Sequence, residues 1–424
     1  MSDQHPLSSV VSRQVEASPG GRGRVIRDAA RGLGPLLRRN ALEGEGIGAL
    51  APETLQAMHE ADVFKIMLPP ELGGDALGAR DTVEVVAALA EGDGAAAWTV
   101  FVAGGIRNLL GFPEQTVEEV FKEVDTWVGP LAVGASVFSP VVGSARAVEG
   151  GFMVSGKWAF GSGCKHAAWA VVGVGYEDAK GHPRRAMALL RREQFTILDD
   201  WHVMGLKGSS SNGIAVEGEV FVPEHRCLDM ADLPATMNGV RERYSGLGFL
   251  NGARALMLVT CLSNVAIALG MARGTLECFA EQARVRKPFN LPYPTVADMP
   301  STQVSAGTAR AMINAAEAVI LRHADEVDRR ALAGEDFTAA EESEITMDLV
   351  YAVRLCAEAI DRLQLTLGSS TVSLKNPIQR FARDVRVLAT HGAIRFDPMA
   401  EISGRQVLGL EPLSMFAGGV PQVG

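Results

Sequence analysis

The stretch NPIQRFARDVRVLATHGAIRFDP, residues 376–398, gathers side chains that could do chemistry. The pattern predicts a helix opening at its proline, carrying the Arg383-Asp384 pair and breaking at Thr390-His391-Gly392-Ala393. An imidazole titrates near neutrality, so His391 at that break can take up or deliver a proton. Its plainer reading is a histidine held at a helix C-terminus by the dipole. Other constellations fall away. The eight histidines form no HxxxH or HExxH pair and the five cysteines no CxxC, which argues against a metal site. Ser162, in FGSGCKH, lacks the GxSxG elbow of a hydrolase. VVGVGYED has Asp178 where a third glycine would complete GxGxxG, and GLGFLNG misses the spacing too. Both are expected to be turns, which leaves no Rossmann dinucleotide site.

Composition sets the frame. A chain of 424 residues exceeds one compact core and predicts two or three domains. A net charge of −10 gives no basic face for nucleic acid. The N-terminus has no apolar signal core, and no run long enough to span a membrane is expected. Scattered cysteines fit reduced thiols and a cytoplasmic location. RRAMALLRR and RVRK read as solvated charged faces.

Texture then divides the chain. Residues 1–22, polar and rich in Ser and Gly, are expected to form a flexible arm. Residues 23–126 read as a helical domain, with Pro52 opening one helix and glycines ending ARDTVEVVAALAEGDG. Residues 127–235 hold short β-type runs (LAVGASVF, WAVVGVGY, RAMALLRR, GIAVEGEVFVP) and a hairpin in AVEGGFMV, as in a sandwich or barrel. Residues 236–424 return to long helices. There Leu349, Val353, Cys356, Ile360, Leu363 and Leu367 step by alternating fours and threes, a seam for packing in a bundle.

SGKWAFGSGCKHAAWAVVGV and WHVMGLKGSSSNGIAVEGEVFVPEHR resemble the middle domain of the acyl-CoA dehydrogenase superfamily. The likeness is to its flavin-dependent monooxygenase branch, which includes the oxygenase component of 4-hydroxyphenylacetate hydroxylase, dibenzothiophene monooxygenase and the nitrososynthases. RVRKPF, QLTLGSS and NPIQRFARD are similar to the superfamily's bundle motifs. The resemblance spans about residues 25 to 412. It implies an α+β multidomain fold: an N-terminal helical domain, a central β-sandwich or barrel, and a C-terminal four-helix bundle. It also implies that Phe160 and Ser162 lie against the flavin ring, the Ser162 hydroxyl within reach of N5. Arg286, Gln303, Gly368, Ser369 and Ser370 match positions that hold the flavin's phosphates or adenylate, often across a subunit boundary, which implies a homotetramer or at least a dimer. Arg383 and Asp384 match a structural pair.

Most dehydrogenases of this superfamily carry their catalytic glutamate nine residues after that arginine. Here the count reaches Gly392, with His391 just before it. Some members place the base on the first long bundle helix, but no acid occurs between Glu242 and Glu277. The dehydrogenase base is missing, and a histidine at this place is what the monooxygenase branch tends to show. The resemblance therefore implies a two-component monooxygenase. It would use reduced flavin (FAD or FMN) and O₂ through a C4a-hydroperoxide, with His391 and Ser162 catalytic. A separate NAD(P)H flavin reductase must feed it, because this chain shows no nicotinamide site. Phenol hydroxylases of the branch draw a second histidine from the region that here reads AAAWTVFVAGGIRNLL. This chain has Arg107 and Asn108 there, so Trp98 and Asn108 are the expected pocket residues and a simple para-phenol is a poor fit. Two alternatives stand: an acyl-CoA dehydrogenase or oxidase using Asp397 or Glu401 as base, and a catalytically silent scaffold.

Overall fold

The computed structural model describes residues 21–139, 143–411 and 413. Most of the expected arm lies outside them, and its last two positions are already helical. The first helix, α1 (Gly21–Ile47), is followed by α2 (Pro52–Glu60), α3 (Ala79–Ala90), α4 (Gly94–Ala103), a 3₁₀ stretch (Gly104–Gly111) and α5 (Glu114–Phe121). Pro52 occupies the first helical turn of α2, where its missing N–H costs nothing. The Asp93 carboxylate caps α4 by accepting from the Ala95 N–H at 3.1 Å.

Eight strands then form one array: β1 (Ala132–Ala135), β2 (Gly143–Val148), β3 (Gly151–Trp158), β4 (Trp169–Glu177), β5 (Pro183–Arg191), β6 (Thr196–Ile197), β7 (Ile214–Pro223) and β8 (Cys227–Asp229). The order is β6-β7-β3-β2-β4-β5-β8, with β1 parallel to β4. Alternation in β4 explains its double burial. Ala170, Val172 and Val174 join a core with Val154, Ala188 and Val216, while Trp169 and Val171 face the helical side with Phe112 and Phe249. The glycines of VVGVGYED are not a turn. Gly173 and Gly175 sit inside β4, paired with Met187 and Arg185. The Trp158 indole N–H donates to the Gly173 carbonyl at 2.7 Å, and room for its ring comes from Gly143 and Gly156, where a Cβ would fall 2.3 and 2.9 Å from it.

After α6 (Leu233–Arg243) come α7 (Ala253–Val285), α8 (Pro300–Ala333), α9 (Ala339–Leu367), α10 (Pro377–Leu388) and α11 (Phe396–Val407). Helices α7 to α10 pack together as the bundle, and α3 lies along α7. All six seam residues of α9 are buried. Helix α7 corrects one expectation. It is long and apolar enough by length and composition to cross a membrane, but 78% of its most apolar window is buried inside the molecule. That burial is why the sequence needs no charge from Ala255 to Ala272.

Candidate active site

The β-domain side of the site is a pair of laced loops. Ser162 is 6% exposed, and its hydroxyl lies 2.7 Å from that of Ser211, which lies 2.8 Å from that of Ser209. Backbone bonds zip the loops together: Gly161 N–H to Asn212 O at 2.9 Å and Gly163 N–H to Ser209 O at 2.8 Å. Phe160, beside them, is 67% exposed with its ring 6.4 Å from Trp201. Its φ of 57° is unfavourable for a bulky side chain. Leu206, Ser210 and Ser136 also have positive φ, and Ser136 Oγ donates to Ala159 O at 2.8 Å. Thus four of the seven non-glycine residues of this kind among the described residues crowd one place. Strain of this sort collects where a ligand is held. Ser210 Oγ and Asn212 Oδ1 are buried there with no hydrogen-bond partner. A planar ring with hydrogen-bonding edges fits such a face.

The helical side centres on His391. It lies three residues beyond the end of α10, opening a 3₁₀ turn (Gly392–Ile394), rather than in the helix's last turn. One side of the residue is open to solvent. The other meets Asn264 of α7, whose Nδ2 is 3.2 Å from His391 Nδ1, and the edge of Trp98 of α4 at 5.3 Å between rings. The side-chain amide donates, so Nδ1 accepts and the neutral ring carries its proton on Nε2, the nitrogen left free for chemistry. Partial burial holds the imidazole pKa below its ordinary value. A Cβ built on Gly392 would meet nothing within 4 Å, so the dehydrogenase base position is open space. Asp397 and Glu401, on α11, are exposed, and among the described residues neither makes a hydrogen bond or ion pair with His391 or Trp98.

Arg383 and Asp384 join the two sides. The Asp384 carboxylate accepts from Leu206 N–H at 2.6 Å, immediately before the serine loop. Arg383 donates to Met204 O and to Gln379 Oε1, and pairs with Glu45 of α1 at 2.6 Å. The approach is so close that a Cβ on Gly205 would fall 2.5 Å from Arg383 O. Burial, then the nearby Asp93 carboxylate, push the Asp384 pKa up to about 7. Lys165 and His166 do similar positioning work that sequence reading missed. Lys165 donates to the Ile47 and Gly48 carbonyls, and His166 Nε2 accepts from Leu50 N–H at 3.0 Å. Burial holds His166 down to about 4, so it stays neutral.

The remaining expected residues collect at the far end of the bundle. Arg286 caps α7, and its carbonyl accepts from Val296 N–H at 2.8 Å in the turn leading to Gln303. Gln303 is exposed and donates to Ala297 O at 3.2 Å. Gln282 of α7 exchanges hydrogen bonds with Asn376 at 2.8 and 3.2 Å, next to the exposed Gly368-Ser369-Ser370 turn. Arg286 Nη1 and Thr302 Oγ1 are buried without partners, as suits an anionic group bound there. Among the described residues, no hydrogen bond or ring contact within one chain joins this group to Phe160 or Ser162. Asn108, on the 3₁₀ stretch after α4, is half-buried.

A helical domain, a β array and a long-helix bundle, in that order along the chain, make an acyl-CoA dehydrogenase-like fold. Residues 262–396 match the family described as acyl-CoA dehydrogenase, C-terminal domain. The chain is 28% identical over 397 residues to the FADH(2)-dependent resorcinol hydroxylase, oxygenase component, of Rhizobium sp. (strain MTP-10005), covering 91% of this chain and 94% of that one. XiaF from Streptomyces sp., solved with FADH2 and glycerol, superposes with a TM-score of 0.81 at 25% identity over 96% of this chain and 98% of its own. The 3-HSA hydroxylase of Rhodococcus sp. RHA1 gives 0.80 at 27% identity, with 92% and 98% covered. The chain is thus similar over most of its length to oxygenases of the flavin-dependent monooxygenase branch, and its C-terminal bundle matches the acyl-CoA dehydrogenase family model.

Proposed function

We propose that the protein is the oxygenase component of a two-component flavin-dependent monooxygenase. It would insert one oxygen atom of O₂ into a small organic substrate, using reduced flavin delivered by a separate reductase. The observation that carries this reading is the open space at Gly392 beside a histidine wedged between Asn264 and Trp98. The carboxylate that α-proton abstraction needs is gone, and a hydrogen-bonding imidazole takes its place.

Reduced flavin, when bound, supplies the electrons and the carbon at which O₂ is activated. The chain's own residues do the rest. Phe160 and Ser162 would hold the ring, with Ser162 Oγ kept in place by the Ser209–Ser211 hydroxyl chain. Arg286, Gln303 and Gly368–Ser370 would hold the phosphate or adenylate end. Because the two groups make no contact within one chain, a shared site between subunits suits them, and a homotetramer is the assembly we propose. Val285, Phe289, Leu291 and Tyr293, all exposed around Arg286, supply an apolar surface for that association. His391, neutral and with its free proton on Nε2, donates to an oxygen at the reacting centre. If the Asn264 amide turns over, Oδ1 accepts from Nδ1–H, and Nε2 becomes a base instead. Trp98 closes the pocket against water, and Asn108 would line it. We place the protein in the cytoplasm.

The test is to supply reduced FMN or FAD from a reductase with O₂ and a panel of phenols, indoles and amines. Oxygenated product by mass spectrometry supports the assignment. Anaerobic bleaching of bound oxidised flavin by an acyl-CoA would instead establish the dehydrogenase, and neither response would establish the scaffold.

A further inference from the structure

Arg107 lies on the 3₁₀ stretch that continues α4, nine residues beyond Trp98. At 1.5 to 2.0 Å per residue this places it roughly 14–18 Å along the axis from the ring that touches His391. Its guanidinium covers the Phe249 ring, 4.1 Å from the centroid. Phe249 leads into α7, which carries Asn264 back to His391. Two neighbouring segments therefore run from the His391 corner to the Arg107 corner. They hold five of the thirteen buried side-chain polar atoms that lack a partner among the described residues: Trp98 Nε1, Arg107 Nε and Nη2, Asn251 Oδ1 and Asn264 Oδ1.

Arg107 is the most unusual of these. The residue as a whole is half-buried, but Nε and Nη2 are enclosed, and a guanidinium enclosed on that edge ordinarily has a carboxylate there. Neither segment can supply one, because no acid occurs from Gly94 to Pro113 or from Arg243 to Leu276. Its charged neighbour is another cation, Arg241, which donates to the Leu250 carbonyl at 3.0 Å. Burial and that neighbour lower the Arg107 pKa to about 10, so it remains charged at neutral pH. The two orphaned nitrogens, Nε and Nη2, form one straight edge of the guanidinium, the edge that grips a carboxylate by two parallel hydrogen bonds.

We propose that Arg107 anchors a carboxylate of the substrate, so that this enzyme oxygenates an organic acid. The acid group would be held at the Phe249 corner and the reacting atom at His391. The proposal rests on the monooxygenase reading only in assigning the carboxylate to the substrate, since binding is measured without turnover. A carboxylate and a flavin phosphate share the chemistry that Arg107 would recognise. The phosphate has its own orphaned partner in Arg286 at the far end of the bundle, so we assign Arg107 to the substrate.

The experiment is calorimetric titration of the full-length, flavin-free protein with phenylacetate and phenylacetamide at low salt, and separately with FMN. Wild type is expected to bind the acid at least tenfold more tightly than the amide. Arg107→Gln should abolish that preference and leave FMN affinity unchanged. Arg107→Lys keeps the charge without the straight edge, and should lower the preference about three- to tenfold; it also serves as the test if Arg107→Gln does not fold. A preference that survives both substitutions, or no preference in wild type, overturns the proposal. So does a loss confined to FMN binding, which would make the anion the flavin's phosphate. Product formation from reduced flavin and O₂, measured apart, decides the monooxygenase reading whatever the outcome here.

Discussion

At His391 the chemistry depends on which ring nitrogen holds the proton, and Asn264 decides that. His391→Ala is expected to leave flavin affinity nearly unchanged and to lower product formation about 10²–10⁴-fold, the usual worth of a positioned acid or base. H₂O₂ should rise to account for the missing product. Asn264→Asp puts a carboxylate against Nδ1. It should raise the imidazole pKa, which partial burial now holds down, and move the pH midpoint of product yield upward. An unmoved midpoint would mean that Asn264 is packing alone. Ser162→Ala should weaken flavin binding by about 2- to 13-fold, from one net hydrogen bond of roughly 0.5–1.5 kcal/mol. Equal affinity would make Ser162 a turn residue. His391 was legible in the sequence because counting from Arg383 lands on a glycine where an acid should be. Asn264 was not. A search for acids on the first bundle helix passes over an amide, and only folding brings residues 127 positions apart into contact. Arg107 was visible merely as the residue present where a histidine was expected.

Among the elements, α10 is the coupling piece. Its Asp384 holds the loop that leads to the serine chain, its Arg383 holds α1, and its end presents His391. With burial and Asp93 lifting the Asp384 pKa from 3.8 to about 7, the unfolded chain gives up this proton at lower pH than the folded one. Stability should therefore fall as pH rises from about 4 to about 7. Asp384→Asn keeps an acceptor for the Leu206 N–H and should flatten that part of the melting-temperature profile. A mutant whose profile parallels wild type across this range would show that Asp384 is already ionised in the folded protein. The α9 seam was readable because heptad spacing is a direct image of one buried face. The glycines of VVGVGYED were misread as a turn because glycine marks turns more often than strand interiors, and only the pairing with β5 shows them inside β4.

The whole molecule poses the question of assembly. Phe289 is 89% exposed beside Arg286, on a surface that includes Val285, Leu291 and Tyr293. Phe289→Asp is expected to shift the mass seen by light scattering toward the monomer and to weaken flavin binding with it. A monomeric wild type would remove the shared-site explanation for the separation of Ser162 from Arg286. The three-part architecture was legible from texture alone, since helical and strand periodicities differ and change twice along the chain. The proposed assembly came from the resemblance alone, because an exposed phenylalanine looks like any other until its neighbours are placed. The central claim is that this site runs oxygen chemistry and not dehydrogenation. It is tested most directly by mixing the protein with reduced FMN or FAD under anaerobic conditions, admitting O₂ in a stopped-flow instrument and recording spectra. The account predicts two phases, with a transient absorbance distinct from oxidised flavin that decays more slowly in the wild type than in Ser162→Ala. Oxidation in a single phase at the rate of free flavin would contradict it.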